Sequence, residues 1–358
     1  MQNYDLQRTW RWNLENSPQP AVVAPQAPVP GNWIWCGLPV NSPLGIPAGP
    51  LLNSGWLLHY ANLGFDVLVY KTVRTSQRDC YSIPNLVPVN TDQLLTGGTV
   101  VPESSTMHGS WAVSFGMPSQ APDNWRTDVE VARNQLPAGK VLVVSVVGTQ
   151  DEAITDGHAS MEQLADDFAR CAQWAMDSGA HGVEANFSCP NVSTPDGQLF
   201  QQPAAAGLVA ERIRDRIGDA PLVLKIGRVA TTQEAAELLQ HAGPHINGLA
   251  MTNSIAAKVA DSAGQLLFGG QARGICGDAT RTASVTQIAM FRQALSDSPH
   301  HLDLVGVGGI STAEHVQLYL AAGATSVALA TAAMVDPNVG LIIRDRLKVD
   351  WSPHLKEE

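Results

Sequence analysis

Residues 184–197 read EANFSCPNVSTPDG. An apolar run ends there in Asn186, Ser188, Cys189 and Asn191. A thiol that can exchange a proton thus stands between neutral amides that can hold a polar, planar ligand. Free cysteines are more often small buried hydrophobes, but Pro190 and the two asparagines make this a polar loop. Lys71 and Lys225 close other apolar runs, where a cation is costly unless it faces an anion. Taken singly, each is equally well read as a lysine that clears the core and reaches water. Gly308–Gly309 and Ala330–Thr331 end two further runs. Small residues there let backbone N–H groups approach a phosphate, and a following helix N-terminus adds partial positive charge.

Together these groups describe a phosphorylated cofactor beside a polar substrate. A cation near N1 and C2=O of a flavin stabilises the reduced ring, and asparagines satisfy its edge. Lys71 and Lys225 are the candidates for that contact. Cys189 would take a proton from carbon while flavin N5 takes the hydride. A phosphosugar enzyme using a lysine as base or Schiff base is an alternative, although it needs no thiol between amides. A non-redox, phosphate-binding barrel is another.

Such groups must be carried to one place by the fold. Short apolar runs occur at 45–49, 66–72, 140–148, 182–188, 221–227, 247–254, 302–309 and 324–331. They are near-continuous rather than alternating, as strands of a parallel sheet covered on both faces require. Helical patterns lie between most of them. Residues 160–180 carry Leu164, Phe168, Cys171, Ala172, Ala175 and Met176 on one stripe, with Gly179 as a C-terminal stop. Residues 231–243 and 311–324 open on a threonine cap and end at Gly243 and Gly323. Residues 284–295 supply another stripe. Residues 336–347 place Asp336 as a cap and Pro337 in the first turn. The pattern predicts an α/β fold, a (β/α)8 TIM barrel. A doubly wound sheet fits less well, because no GxGxxG follows the first strand.

In such a barrel the strand C-terminal ends carry the site. They offer Ala48–Gly49, Lys71–Thr72, Asn186, Lys225, Thr252–Asn253–Ser254, Gly308–Gly309 and Ala330–Thr331. Residues 73–122 read as an insertion over the C-terminal mouth. Residues 1–36 read as an N-terminal arm or linker, rich in Pro, Ala and Val over 17–31, and 37–350 as the barrel domain. Tryptophans at 10, 12, 33 and 35 imply that the arm packs on the barrel or on a partner subunit.

Composition narrows the classes. The chain has 358 residues, 44% hydrophobic and 15% charged, enough for a large core. A formal charge of −11 argues against nucleic acid and anionic membranes as partners. The five cysteines form no CxxC pair, so no metal or iron–sulfur site is read and reduced thiols in the cytoplasm are expected. No apolar stretch approaches the ~20 residues that span a bilayer, and the N-terminus lacks the order of a signal peptide.

NFSCPN, the lysine of LKI, MTNS, GVGG and the opening NSPLGIPAG together resemble the dihydroorotate dehydrogenase family, in order and spacing, over roughly residues 37–347. The resemblance implies FMN at the mouth of a (β/α)8 barrel, oxidation of dihydroorotate to orotate, a place in pyrimidine metabolism, and a cytoplasmic homodimer of the class 1 kind. It implies Cys189 as the base. It assigns Lys71, Ser114, Gly116, Met117, Asn186, Asn191, Asn253 and Ser254 to the substrate. It assigns Ala48, Gly49, Lys71, Thr72, Asn186, Lys225, Thr252, Gly274, Gly277, Gly308, Gly309, Ala330 and Thr331 to FMN; Gly274 and Gly277 belong to RGICGD, which resembles the family's glycine-rich loop. One departure is specific: VSFGMPS has Val113 where the family's NSMGLPN-like segment has a substrate-binding asparagine. YKT and SCPN are also similar to the pyrimidine-reducing domain of dihydropyrimidine dehydrogenase, whose acid is a cysteine further along the loop; residues 192–203 contain none. A related enzyme acting on another dihydropyrimidine or conjugated carbonyl is therefore the alternative. No motif identifies the electron acceptor.

Overall fold

The computed structural model describes residues 3–19, 24–94, 96–107, 109–150, 153, 156–188 and 195–350. Eight parallel strands close a barrel. They are β1 (Leu44–Ile46), β2 (Val67–Val73), β3 (Val141–Val146), β4 (Gly182–Asn186), β5 (Leu222–Lys225), β6 (Gly248–Met251), β7 (Asp303–Val307) and β8 (Ser326–Ala328). Each falls within or against a predicted run, and neighbours in sequence are neighbours in the barrel, with β8 pairing β1.

Helices return the chain from each strand. α1 (Trp10–Glu15) belongs to the arm; α2 (Ser54–Asn62), α3 (Pro122–Gln135), α4 (Gly157–Asp177), α5 (Pro203–Ile217), α6 (Thr232–Ala242), α7 (Arg281–Ser296) and α8 (Ala313–Ala321) follow. The short α9 (Thr331–Val335) and α10 (Val339–Asp350) come after β8. Thr231 caps α6 in a full capping box with Glu234. Gly243 is not a left-handed stop: its φ is −51°, and the chain tightens there into a short 3-10 turn. Asp336 does not cap the last helix. It ends α9, and its Oδ1 accepts from the Asn338 N–H at 3.0 Å, so the chain turns before α10 begins.

The interior is filled by Val67, Val69, Val141, Val143, Val223, Val305 and Val307, closed below by Trp35. Trp35 lies in a hairpin of Ile34–Trp35 with Leu38–Pro39. Because alternate strand residues face the same way, the inward register Val67–Val69 delivers Lys71 to the top of β2. Val223 delivers Lys225 in the same way, and Glu184 delivers Asn186.

Two connections grow a second sheet. The β2–α3 insertion contributes Leu86–Pro88, Val100–Pro102 and Ser110–Val113, and the β6–α7 connection contributes Ile255–Ala260 and Arg273–Gly277. They form a five-stranded sheet with its own apolar face, including Val87, Ala112, Ile255 and Ile275. The insertion is therefore β structure, paired to a segment that lies far later in the chain, Gly274 opposite Val113 and Gly277 opposite Ser110. The arm packs on the barrel: Trp56 Nε1 donates to Asn13 O at 2.9 Å, Asn53 Nδ2 donates to Leu14 O at 2.9 Å, and Tyr4 meets Phe115 edge-on at 6.3 Å.

Candidate active site

A cavity of about 560 Å³ lies at the C-terminal mouth, under the second sheet, within the roughly 300–1,000 Å³ typical of small-molecule and cofactor sites. Its wall includes Ala48, Gly49, Lys71, Thr72, Gly116, Met117, Asn186, Lys225, Asn253, Gly277, Gly308, Gly309, Ala330 and Thr331. Fourteen of the sequence-selected positions thus converge from seven strand ends and the overlying sheet. Val113 lines the same cavity.

At one end sits the polar cluster. Lys71 and Lys225 are 8% and 4% exposed. Lys225 has no hydrogen bond or ion pair among the described residues. Asn186 Oδ1 accepts from the Ser188 N–H at 3.1 Å, and Asn253 Nδ2 donates to Ser188 O. The two asparagines therefore fix the backbone on the N-terminal side of Cys189. Cys189 and Asn191 lie outside the described residues. Asn186 Nδ2 also points to Met117 Sδ at 3.7 Å. Met117 has φ +52° and follows Gly116 at +73°, a pair of left-handed residues that turns this loop into the cavity. For methionine that conformation costs energy and marks a site candidate.

At the other end lies a glycine cradle. Gly308 and Gly309 have φ of +128° and +64°, and a Cβ at Gly308 would stand 2.6 Å from Thr280 Oγ1. Only glycine fits there. Asp278 also lines this end, but its carboxylate pairs with Arg281, whose Nη1 donates to Gly309 O at 2.9 Å. The acid is thus neutralised where an anionic phosphate would rest.

Four selected residues stand elsewhere. Ser114 is buried, its Oγ accepting from Arg273 Nε at 2.8 Å, so its hydroxyl is already engaged. Ser254 lines a neighbouring depression of about 320 Å³ with Ser188, Phe200 and Gly227. Gly274 pairs with Val113 inside the second sheet. Thr252 is held behind the wall, its N–H donating to Val307 O at 2.9 Å, and its buried hydroxyl has no partner among the described residues. Sequence reading also passed over wall residues. Phe115 and Cys276 sit inside the quoted motifs; Trp111 and Leu86 carried no signal, since only the second sheet brings them in. Burial pushes the Cys276 thiol up to about 11, against a smaller downward pull from Lys225. It therefore remains a thiol at neutral pH and is a poor base.

The residues present fit FMN. A cradle that admits only glycine suits a phosphate, a buried cation without a hydrogen bond or ion pair among the described residues suits the electron-rich edge of the ring, and the apolar walls between suit its planar body. No helix among the described residues is long and apolar enough to cross a membrane, and no cluster there could hold a metal ion.

A family model, dihydroorotate dehydrogenase, matches residues 34–349. A dihydroorotate dehydrogenase of Dictyostelium discoideum is 29% identical over 360 residues, covering 94% of this chain and 95% of that protein. The catalytic subunit of dihydroorotate dehydrogenase B (NAD(+)) of Bacillus pumilus is 30% identical over 48% of this chain and 54% of its own length. In fold the chain is similar to the crystal structure of DHODH in complex with ferulenol from Eimeria tenella, with a TM-score of 0.66 at 16% identity, over 87% of this chain and 82% of that one. The match across nearly the whole barrel, over a mouth built for FMN, leads to one assignment: the chain belongs to the dihydroorotate dehydrogenase family, FMN-dependent dehydrogenases acting on CH–CH groups.

Proposed function

We propose that the chain oxidises dihydroorotate to orotate, with Cys189 taking the proton from the carbon next to the carbonyl. Bound FMN supplies the hydride acceptor at N5. The observation that carries this reading is the convergence of Lys71, Asn186, Lys225 and Asn253 at one end of a single cavity whose other end is a glycine cradle. In this reading Lys71, Asn186 and Asn253 hold the pyrimidine together with Asn191. Gly116 and Met117 shape its pocket, and Lys225 faces the flavin ring. Asn186 and Asn253 have a second task, since both bond Ser188 and so set the approach of the adjoining thiol. The same reading makes the enzyme a cytoplasmic homodimer, which sedimentation and cell fractionation check.

The decisive test is anaerobic addition of dihydroorotate to the purified holoenzyme. Bleaching of the oxidised flavin band is expected; a yellow protein that stays yellow refutes the substrate. Cys189→Ser should slow that bleaching by about 10²–10⁴ at neutral pH and less at high pH, because a hydroxyl is harder to deprotonate. Equal rates would end the assignment of Cys189. A second reading rests on Val113, an apolar wall residue where the family presents an amide. It favours a different dihydropyrimidine or conjugated carbonyl compound, and a panel of such compounds in the same assay decides it.

A further inference from the structure

Beneath the mouth, the barrel interior contains two polar atoms that its packing does not explain. Glu184 and Ser326 are 3% and 2% exposed. Glu184 Oε1 and Ser326 Oγ have no hydrogen-bond partner among the described residues. Both residues line one internal cavity of about 20 Å³, whose other walls are apolar and include Val69, Val143, Val223 and Val305. A buried carboxylate or hydroxyl without a partner costs several kcal/mol. A cavity of this size holds one water, which needs two or more polar partners.

The neighbouring strand supplies the second half of the argument. In the β4–β5 register Glu184 stands opposite Val223 and Asn186 opposite Lys225. Glu184 and Lys225 are therefore diagonal neighbours, both facing the interior, two residues apart in height. One is a buried acid and the other a buried cation without a protein hydrogen bond or ion pair among the described residues. No ion pair within 4.0 Å joins them, so any coupling runs through space or through water, in a low-dielectric interior where such charges interact strongly.

We propose that a bound water bridges Glu184 and Ser326, and that this hydrated carboxylate is the standing counter-charge of Lys225 below the flavin position. The water is independent of the functional reading; the counter-charge role rests on FMN lying over Lys225. In that role Glu184 is a positioning residue. It offsets the burial of the Lys225 ammonium and tempers the lysine's pull on the reduced ring.

Two measurements test this. A high-resolution crystal structure of the holoenzyme should show a water within hydrogen-bond distance of both Glu184 and Ser326; a dry cavity overturns the water site. The midpoint potential of bound flavin should rise in Glu184→Gln, seen as a several-fold higher ratio of reduced to oxidised flavin at fixed potential, because a negative charge has been removed. An unchanged or lower potential overturns the counter-charge. So does loss of FMN from a folded Glu184→Gln protein, since the amide leaves Lys225 more available to an anionic cofactor. If the variant does not fold, the crystal structure of the parent still decides the water. A colourless parent would refute the flavin reading and leave the water test standing.

Discussion

The floor and the mouth of this barrel both bury cations, and they treat them in opposite ways. At the floor Asp66, fully buried, takes Lys140 Nζ at 2.6 Å and Arg344 Nη1 at 2.5 Å, and accepts from Ser42 Oγ at 2.5 Å. Arg344 also bonds Ala27 O at 2.9 Å, tying α10 to the segment that leads into the barrel. Every charge there is answered by the protein. At the mouth Lys225 is as deeply buried and has no such answer among the described residues. A buried ion pair is weak evidence of net stability, but breaking one is expensive. A buried cation without a direct partner is a standing cost that a ligand can relieve. The difference separates charge kept to hold the fold from charge kept to hold something else.

The comparison breaks most sharply at Asp66. Asp66→Ala leaves Lys140 and Arg344 buried together, so denaturant unfolding should show a loss of about 3–5 kcal/mol, while the flavin potential of whatever folds stays at the parent value. A loss below ~1 kcal/mol would mean that the floor cluster is not structural. Lys225→Ala should do the reverse. Its unfolding free energy without cofactor should change by less than about 1 kcal/mol or rise, while FMN affinity or flavin potential falls. Full occupancy at an unchanged potential would return Lys225 to a plain core role.

Smaller effects sharpen the picture. Cys276 shares the cavity with Lys225, but its thiol stays protonated near neutrality. Cys276→Ser should therefore change the rate of flavin reduction by no more than about threefold, against the much larger loss expected at Cys189. A comparable loss at both would mean that the proton route has been misassigned. The smallest effect lies on the outer framework. His181 Nδ1 accepts from the Leu142 N–H at 2.9 Å, and burial, then Arg133, lower its pKa below the usual 6.5. The unfolded chain then takes up that proton first. Stability is present in full above about pH 6.5 and is lost as pH falls through the lowered folded value. Unfolding midpoints from pH 7 to 5 should fall less steeply in His181→Gln than in the parent; parallel slopes would remove His181 from the account.

Much of the barrel was legible because its physics is local. A strand buried on both faces must be apolar along most of its length, and Val67–Tyr70 and Val141–Val144 are. A lysine at the top of such a strand stands out, and both do sit in the cavity wall. Helix starts at Thr231 and Thr312 were readable for the same reason, since a cap acts within a few residues. The second sheet was not readable. Its strands are short, Leu86–Pro88 and Ser110–Val113 among them, and pair with Arg273–Gly277 far along the chain. Ser114 and Ser254 carried the right chemistry in the right motifs, yet one is engaged by Arg273 and the other opens on a different depression. Motif membership does not specify where a side chain points.

The sequence by itself determined the eight-strand rhythm, the residues offered at the strand ends and the thiol between amides, because periodicity, burial and side-chain chemistry are written residue by residue. The tertiary structure alone decided that the insertion and the β6–α7 connection close over the mouth as one sheet, that Asn186 and Asn253 grip the backbone at Ser188, and that Glu184 shares the barrel interior with Lys225. Those facts depend on register between distant segments, and register is set only when the barrel closes and each strand must bury one face against its neighbours.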